Sequence, residues 1–116
     1  MNDSNCLFCK IAEGEIKADV IHESDSVLAF RDINPQAPTH VLIIPRQHIA
    51  TINDLQDKDA GIIGSLFAAA RDIAKAEGVH TDGYRVTMNC NKAAGQTVFH
   101  LHLHLLGGRN FAWPPG

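Results

Sequence analysis

Three histidines alternate with apolar residues near the carboxyl end of the chain. His100, His102 and His104 stand two residues apart from one another. Successive side chains of an extended strand point to opposite faces, so the spacing predicts three imidazoles on one face at intervals of roughly 7 Å. The opposite face of the predicted strand consists of Phe99, Leu101, Leu103 and Leu105. An ordinary solvated face has no reason to select histidine three times, and the pattern therefore predicts a chemical role.

Two kinds of chemistry use histidines in this arrangement. Neutral imidazoles can ligate a metal ion, or one ring can act as nucleophile or general base while its neighbours orient it and bind charge. A three-histidine zinc site needs side chains that converge to about 2 Å from one ion, which residues two apart on a flat strand do not do unless the strand bends. The geometry therefore favours nucleophilic catalysis and leaves the metal site as the alternative.

The segment before the histidines contains groups that suit a phosphate. Gly95 allows the backbone to approach a ligand closely, Gln96 has an amide side chain and Thr97 has a hydroxyl. The same composition also occurs in plain polar loops. Beside a histidine nucleophile, it predicts the wall of the site that faces a phosphate.

Two cysteines near the start of the chain form a second candidate site. Cys6 and Cys9 make a Cys-x-x-Cys pair, and Cys90 brings the total to an odd number. An odd set with one close pair suits a reducing compartment better than a framework of disulfides. The pair leaves both metal binding and redox chemistry open.

Composition limits the kinds of partner. The chain has 116 residues, of which 45% are hydrophobic, and this suits a single domain over residues 1–116 with one core. A formal charge of −3, without any run of Lys or Arg, argues against a nucleic-acid partner. No apolar run approaches the roughly 20 residues of a membrane helix. We therefore expect a cytoplasmic protein that acts on a small molecule and has no membrane partner.

Hydrophobic periodicity predicts the elements that must position these residues. Apolar residues at i, i+3 and i+4 spacing predict a long helix over residues 57–77, ended by Gly78, and a short helix is predicted over residues 7–16. The core-facing residues of this pattern include Leu7 and Phe67. Strands are predicted over residues 20–22, 27–30, 40–44, 84–89 and 98–106. Because neighbouring strands can pair antiparallel, the expected class is α+β, with the long helix packed on one sheet.

With these motifs in view, the chain resembles the histidine triad (HIT) family, whose signature is His-φ-His-φ-His-φ-φ, where φ is apolar. The matching segment reads GQTVFHLHLHLLGGR over residues 95–109, and further matches are DINPQAPTH at 32–40, IPRQH at 44–48 and the terminal WPPG. The tail points to the Hint branch, the histidine triad nucleotide-binding proteins. This resemblance implies a HIT-like fold, which is an antiparallel five-stranded sheet with one long and one short helix. The sheet would extend across a homodimer.

The resemblance also implies an activity. It is that of a purine nucleoside phosphoramidase, which hydrolyses AMP or GMP phosphoramidates, with adenylated lysine as a further substrate class. His102 would be the nucleophile and would form a nucleotidyl-histidine intermediate that water resolves, since covalent catalysis splits one difficult displacement into two easier ones. The alternatives are a dinucleoside polyphosphate hydrolase and a zinc-binding nucleotide sensor or scaffold with little turnover.

Further roles follow from the resemblance, residue by residue. Asp32 would accept hydrogen bonds from the ribose hydroxyls, and His40 would support the catalytic histidines from the adjacent strand. Thr97 or a neighbour would help the amine to leave. The α-phosphate would be held by His104, Asn89, Gly95 and Thr97. The base would occupy an apolar cleft formed by Phe8, Ile11, Phe30, Ile33 and Leu42.

The resemblance implies a zinc ion and a partner subunit as well. Some relatives with the N-terminal cysteine pair bind zinc, and the corresponding ligands here are Cys6, Cys9, His48 and His100. A set of two cysteines and two histidines is typical of closed structural sites, and this one leaves His102 free. No organic cofactor is implied. Residues 109–116, which include Trp113, would cross the dimer interface and shape the leaving-group side of the partner's nucleotide site.

Three positions depart from the pattern of the family. Thr97 stands where the best-known members have serine, and its additional methyl group bears on how the leaving group is assisted. Arg31 and Ala112 stand where some relatives carry histidine. These differences leave the fine specificity open.

Overall fold

The strands of the protein form one antiparallel sheet. The computed structural model describes residues 3–116, and within them no helix is both long and apolar enough to cross a membrane. The elements are α1 (Leu7–Ala12), β1 (Val20–Glu23), β2 (Val27–Arg31), β3 (Thr39–Pro45), α2 (Ala60–Ala76), β4 (Tyr84–Thr87) and β5 (Leu103–Gly107). The strand order is β1-β2-β3-β5-β4, and every neighbouring pair is antiparallel. The predicted α+β fold, with one long and one short helix, is confirmed.

The two faces of the sheet are covered differently. Helix α2 packs on one face, where a cluster of buried side chains includes Ala29, Val41, Ile43, Leu66, Ile73, Leu103 and Leu105. The short helix α1 packs on the other face, against Leu28, Phe30, Leu42 and Ile44. The alternation of side chains along β3 and β5 separates these clusters, since adjacent residues of a strand point to opposite faces. His40 and His104 share the parity of Leu42 and lie on the α1 side.

Helix α2 matches the long helix predicted over residues 57–77, with a later start. It begins at Ala60 because Asp57–Asp59 form a 3-10 turn, in which the Asp59 carboxylate accepts the backbone N–H of Gln56 at 2.9 Å. Gly78 ends the helix as predicted: it has a φ of +75°, and its N–H donates to Lys75 while the next N–H donates to Ala74.

Phe67 and Leu7 were predicted to face the core and do not. The Phe67 side chain on α2 is 51% exposed, and that of Leu7 on α1 is 45% exposed. The apolar stripe of α2 that reaches the sheet is narrower than the periodicity suggested, since Leu66, Ala70 and Ile73 fill the contact. Helix α1 is also shorter than predicted, because it ends at Ala12.

The strand predicted over residues 98–106 begins only at Leu103. In the last pair of that ladder Leu103 lies opposite Ile43 on β3. Beyond this pair, Pro45 has no N–H to donate, and the N–H of Leu101 donates to the carbonyl of Ile49 at 2.7 Å. His100 and His102 therefore lie in an irregular segment outside the sheet, which bends over residues 98–100. Phe99, predicted to be on the apolar face, is 47% exposed for the same reason.

Candidate active site and metal centre

The residues predicted to form the base cleft line one cavity. The cavity has a volume of about 460 Å³, and its lining includes Phe8, Ile11, Phe30, Asp32, Ile33 and Leu42. The rings of Phe8 and Phe30 meet edge to face at 5.4 Å and form its floor. Ile33 stands fully exposed at the rim. The size and apolar walls suit a flat aromatic ligand such as a purine.

Several residues of this cavity were not predicted. They are Leu7, Ile16, Lys17, Ala18, Asp19 and Arg31. Arg31 is held by Glu77, to which it donates two hydrogen bonds at 2.7 and 3.0 Å, so its charge is already paired. Lys17 and Asp19 lie in the connection between α1 and β1, where no sequence pattern indicates a site.

His102 lies against Phe8, a residue of the cavity wall, and one of its ring nitrogens already has a hydrogen-bond partner. Its Nδ1 lies 2.8 Å from the carbonyl oxygen of His100, and because a carbonyl can only accept, Nδ1 carries the hydrogen. The other nitrogen, Nε2, therefore has a free lone pair in the neutral ring. The His102 ring meets Phe8 edge to face at 5.1 Å. Burial lowers the pKa of His102, so the ring is neutral at pH 7.

His40 and His104 form a second hydrogen-bonded pair whose tautomers can be assigned. The backbone N–H of Gln36 donates to Nδ1 of His40 at 3.0 Å, so the hydrogen of His40 lies on Nε2. That Nε2 donates to Nδ1 of His104 at 2.9 Å, which leaves the hydrogen of His104 on its own Nε2. His104 is thus a neutral hydrogen-bond donor beside His102, whose ring centroid is 5.0 Å away.

Burial keeps this pair neutral. Desolvation is the main cause that lowers the pKa of His104 to about 4, and the neighbouring rings of His102 and His40 add to it. Desolvation also lowers the pKa of His40, against the opposing effect of the Asp32 carboxylate. Asp32 lies 3.4 Å from Nε2 of His40 and lines the cavity as well, so it faces both the histidines and any ligand.

The residues predicted to hold a phosphate lie on different sides of the histidines. Asn89 and His104 line a recess of about 330 Å³, whereas the exposed Thr97 lines another of about 300 Å³ with His48. Gly95 has a φ of +87°, and this left-handed conformation explains the glycine. Gln96 is buried, and its amide side chain accepts the N–H of Asn91 and donates to the carbonyls of Ala50 and Val98. Its side chain holds the loop, and its backbone N–H donates to the carbonyl of Asn91 at 3.1 Å, so both are already used within the loop.

The predicted zinc ligands come together from three segments of the chain. The ligand atoms of Cys6, Cys9, His48 and His100 all lie within 4.8 Å of one another. The Nδ1 atoms of His48 and His100 are 3.3 Å apart, and the Cys9 sulfur is 3.3 and 3.4 Å from them. A tetrahedral zinc ion with ordinary bond lengths needs edges of about 3.3 Å between nitrogens and about 3.6 Å between sulfur and nitrogen. The four residues therefore fit zinc.

The hydrogen bonds around His100 favour metal binding too. Its Nε2 donates to the carbonyl of Pro45 at 2.7 Å, which leaves Nδ1 unprotonated and directed at the two sulfurs and His48. Burial lowers the pKa of His100 to about 4 and raises the pKa of the Cys9 thiol to about 11. The imidazole is thus neutral at pH 7, the form in which it ligates a metal.

A second group of possible ligands, Asp32, His40 and His104, does not fit a metal as well. A metal on Nε2 of His40 would displace its hydrogen. The ring could not then take a hydrogen on Nδ1, because the N–H of Gln36 points at that atom. The arrangement suits hydrogen bonding instead.

Neither Gln36 nor Pro45 was predicted to orient the histidines. Gln36 acts through its backbone N–H and Pro45 through its carbonyl, and these atoms leave no signal in the residue type.

Trp113, predicted at the nucleotide site, is 83% exposed. The preceding part of the tail lies against its own subunit: the carbonyl of Ala112 accepts from Arg85 at 3.0 Å, and Phe111 lies against the guanidinium of Arg109 at 4.2 Å. A crossing of the tail to a partner subunit stays a prediction, because the structure contains one chain.

Comparisons with known proteins agree with these observations. A model of the HIT domain family matches residues 13–111. The chain is 50% identical over 103 residues to the purine nucleoside phosphoramidase of Escherichia coli, covering 89% of this chain and 87% of that protein. It is 47% identical over 118 residues to a 14 kDa zinc-binding protein of Zea mays, covering 100% of this chain and 91% of that protein.

A solved structure gives the same result. The HIT family hydrolase from Legionella pneumophila is 58% identical and superposes with a TM-score of 0.95, covering 97% of this chain and 100% of that chain. The range matched by the family model includes all three alternating histidines, whereas Cys6, Cys9 and Trp113 lie outside it.

Proposed function

The chain belongs to the HIT domain family, and we propose that it hydrolyses the P–N bond of purine nucleoside phosphoramidates through a nucleotidyl intermediate on His102. The observation that carries this proposal is the free Nε2 lone pair of a buried, neutral His102 beside an apolar cavity of about 460 Å³. A histidine that acts only as a general base does not need a ring fixed in one orientation. A ring held in one tautomer by a backbone carbonyl suits a nucleophile whose lone pair must point at one atom.

The first half of the reaction forms a bond from Nε2 of His102 to the α-phosphorus and breaks the P–N bond to the amine. The amine leaves with a proton, and the Thr97 hydroxyl or a neighbouring group assists this transfer. Negative charge on the phosphoryl oxygens is stabilised by the N–H of His104, together with Asn89. The N–H of Gly95 already donates to the carbonyl of Lys92 at 3.0 Å, so Gly95 would contribute only by letting the loop approach the phosphate closely. His40 acts as a positioning residue, because its hydrogen bond keeps the His104 hydrogen on Nε2.

The second half reverses the first with water as the nucleophile. Water attacks the phosphorus and gives up a proton to the group that protonated the amine, the bond to Nε2 breaks, and the imidazole returns to its neutral form as the nucleoside monophosphate leaves. Burial lowers the pKa of both rings and therefore favours the neutral form of His102, which can attack the next substrate.

The base and the ribose would be held by the cavity. The purine would lie between the apolar walls that include Phe8 and Phe30, and the Asp32 carboxylate at the rim would accept hydrogen bonds from the ribose hydroxyls. This placement puts the sugar between the cavity and the histidine pair, because Asp32 faces both.

We propose a structural zinc ion held by Cys6, Cys9, His48 and His100. Zinc in such a closed set would supply a cross-link between distant segments and no reaction step. The donor distances and the tautomer of His100 support this assignment. Protein purified without chelator should contain about one zinc per chain by elemental analysis, and a content well below that would count against the site.

We also propose a homodimer, because residues 3–116 leave an edge of the sheet and a large apolar side chain uncovered. Strand β4 is an edge of the sheet, its side chains are only partly buried, and the exposed Phe67 lies on the helix that covers one face. Pairing with a second copy would remove both the open backbone edge and the exposed ring. Light scattering after gel filtration should give twice the 12.6 kDa of one chain.

One assay separates this function from its rivals. The purified protein is offered adenosine phosphoramidate and diadenosine polyphosphate in parallel. Preference for the phosphoramidate supports the proposal, and preference for the dinucleotide would show a polyphosphate hydrolase. Tight nucleotide binding without turnover of either substrate would show a nucleotide sensor or scaffold.

A further inference from the structure

His100 takes part in two sites at once. Its side chain belongs to the cysteine–histidine cluster, with Nδ1 3.4 Å from the sulfur of Cys6 and 3.3 Å from Nδ1 of His48. Its backbone carbonyl accepts the Nδ1 hydrogen of His102 at 2.8 Å. The orientation of the His102 ring therefore depends on where the His100 backbone lies.

The backbone of the segment that holds both histidines makes few hydrogen bonds within the described residues. It precedes β5, so the ladder hydrogen bonds of the sheet begin only at Leu103. The N–H of Leu101 donates to Ile49, and the Gln96 side chain donates to the carbonyl of Val98. The buried side chains of Leu101 and His100 hold the segment as well, and that of His100 does so through Pro45 and the cluster.

The same cluster holds the wall of the base cavity. Helix α1 has six residues, too few to be stable by itself, and its N-cap Cys6 and its residue Cys9 are both cluster members. Between them lies Phe8, which contacts the rings of both His100 and His102, at 6.0 and 5.1 Å. The cluster thus joins the helix that faces the base to the segment that faces the phosphate.

We propose that His100 is a positioning residue that links occupancy of the metal site to the tautomer and orientation of His102. With the four ligands bound to zinc, the carbonyl of His100 holds the hydrogen of His102 on Nδ1 and directs Nε2 at the phosphorus. Without the metal, the segment relaxes and His102 samples both tautomers. This inference rests on the proposed function, to which it adds control of the nucleophile by a site that touches no substrate.

The test changes His48, the cluster residue that belongs neither to α1 nor to the segment of His100 and His102. His48→Ala should abolish zinc binding, whereas His48→Cys provides a three-cysteine, one-histidine set that also binds zinc. His22→Ala, on β1, serves as the control for loss of an imidazole outside the cluster. We expect kcat to fall about 100-fold in His48→Ala and to recover in His48→Cys, since small misplacements of reacting groups cost about this much.

A spectroscopic measurement tests the link without substrate. Imidazole ¹⁵N NMR, with the His102 signals assigned by their loss in His102→Ala, should show a single Nδ1–H tautomer in the zinc-loaded wild type and in His48→Cys. His48→Ala and wild-type protein stripped of zinc by a chelator should show a mixture, and adding zinc back to the stripped wild type should restore the single form.

Two outcomes would overturn the inference. One is a single Nδ1–H tautomer of His102 that persists in stripped, folded wild type, and the other is full kcat in that protein. Failure of the proposed function looks different, because the tautomer would still respond to zinc while phosphoramidates were not turned over. If His48→Ala does not fold, the stripped wild type gives the same comparison.

Discussion

His102 donates its Nδ1 hydrogen to the backbone carbonyl of His100, the residue two positions before it, at 2.8 Å. The bond assigns opposite roles to neighbouring histidines. His100 directs its own unprotonated Nδ1 at the cysteines, and His102 keeps an unprotonated Nε2. Different backbone partners thus give two histidines of the same predicted face different free nitrogens, without any difference in residue type.

Removal of the His102 ring should abolish turnover and spare binding. His102→Ala and His102→Gly are expected to leave nucleotide affinity within roughly tenfold of the wild type, because neighbouring groups provide the affinity and the ring forms the covalent bond. Steady-state rates and calorimetric titration with AMP measure the two effects. His22→Ala, a change on β1, is the control. Substantial activity in either His102 variant would rule out this nucleophile.

Activity should persist at lower pH than free histidine suggests. The sequence leads us to expect an acid limb near the reference pKa of about 6.5. Burial lowers the pKa of His102 and takes that of His104 to about 4. We therefore expect kcat/KM to reach half its plateau value clearly below pH 6.5. The rate is measured after subtraction of uncatalysed hydrolysis, and a midpoint at or above 6.5 would contradict the neutral, buried site.

The lowered pKa of His104 also makes the folded protein less stable at low pH, which limits the range over which the rate can be measured. The unfolded chain takes up the proton of His104 near pH 6.5 and the folded protein only near 4. The stability that comes from keeping this ring neutral is complete above about pH 6.5 and is lost as the pH falls towards 4. Circular dichroism at each pH shows whether a lower rate reflects chemistry or unfolding.

Asp32 should determine how much the ribose hydroxyls contribute to substrate binding. In Asp32→Asn the charge is lost and the shape is kept, so we expect KM for the ribonucleoside phosphoramidate to rise about 10- to 100-fold, the value of one or two hydrogen bonds to a charged group. The matched substrate is the dideoxyribose analogue, for which the variant and the wild type should differ little. An equal loss on both substrates would mean that Asp32 acts through His40, 3.4 Å away, and not on the sugar.

The C-terminal tail should affect selectivity for the amine. Deletion of residues 113–116 removes the exposed Trp113 and keeps the contact of Phe111 with Arg109. We expect the fold and the proposed dimer to remain while relative kcat/KM changes across substrates with different amines, because the proposed site of the nucleotide lies elsewhere. Phe111→Ala separates the packing of the tail from its tip. A uniform change across all amines, or none, would show that the tail does not shape selectivity.

Much of the site follows from residue types and spacing. The periodicity of α2 and the succession of strands along the chain agree with the pattern of the sequence. The convergence of the two cysteines with His48 and His100 agrees with what the resemblance to the HIT family implies. The start of β5 could not be predicted, because the apolar alternation continues through residues 98–102 while Pro45 on the neighbouring strand stops the ladder. That interruption depends on register between strands, which one strand's sequence does not contain.

The backbone partners were equally hidden. The carbonyls of His100 and Pro45 and the N–H of Gln36 assign the tautomers of the histidines, yet every residue has a carbonyl and nearly every residue an N–H. Gln96 shows the converse, since a polar side chain that resembled a phosphate ligand is used to hold its own loop. Spacing therefore predicted which histidines belong to a site and could not predict the backbone atoms that orient them.

Trapping of the covalent intermediate tests the central claim most directly. Excess enzyme is mixed with adenosine phosphoramidate, quenched in denaturant at alkaline pH within milliseconds to seconds, and analysed by intact mass and peptide mapping, with His102→Ala alongside. The account predicts an adenylyl group on His102 that appears with release of the amine, decays with release of AMP and is absent from the variant. Release of AMP without any transient adduct, or an adduct on another side chain, would contradict it.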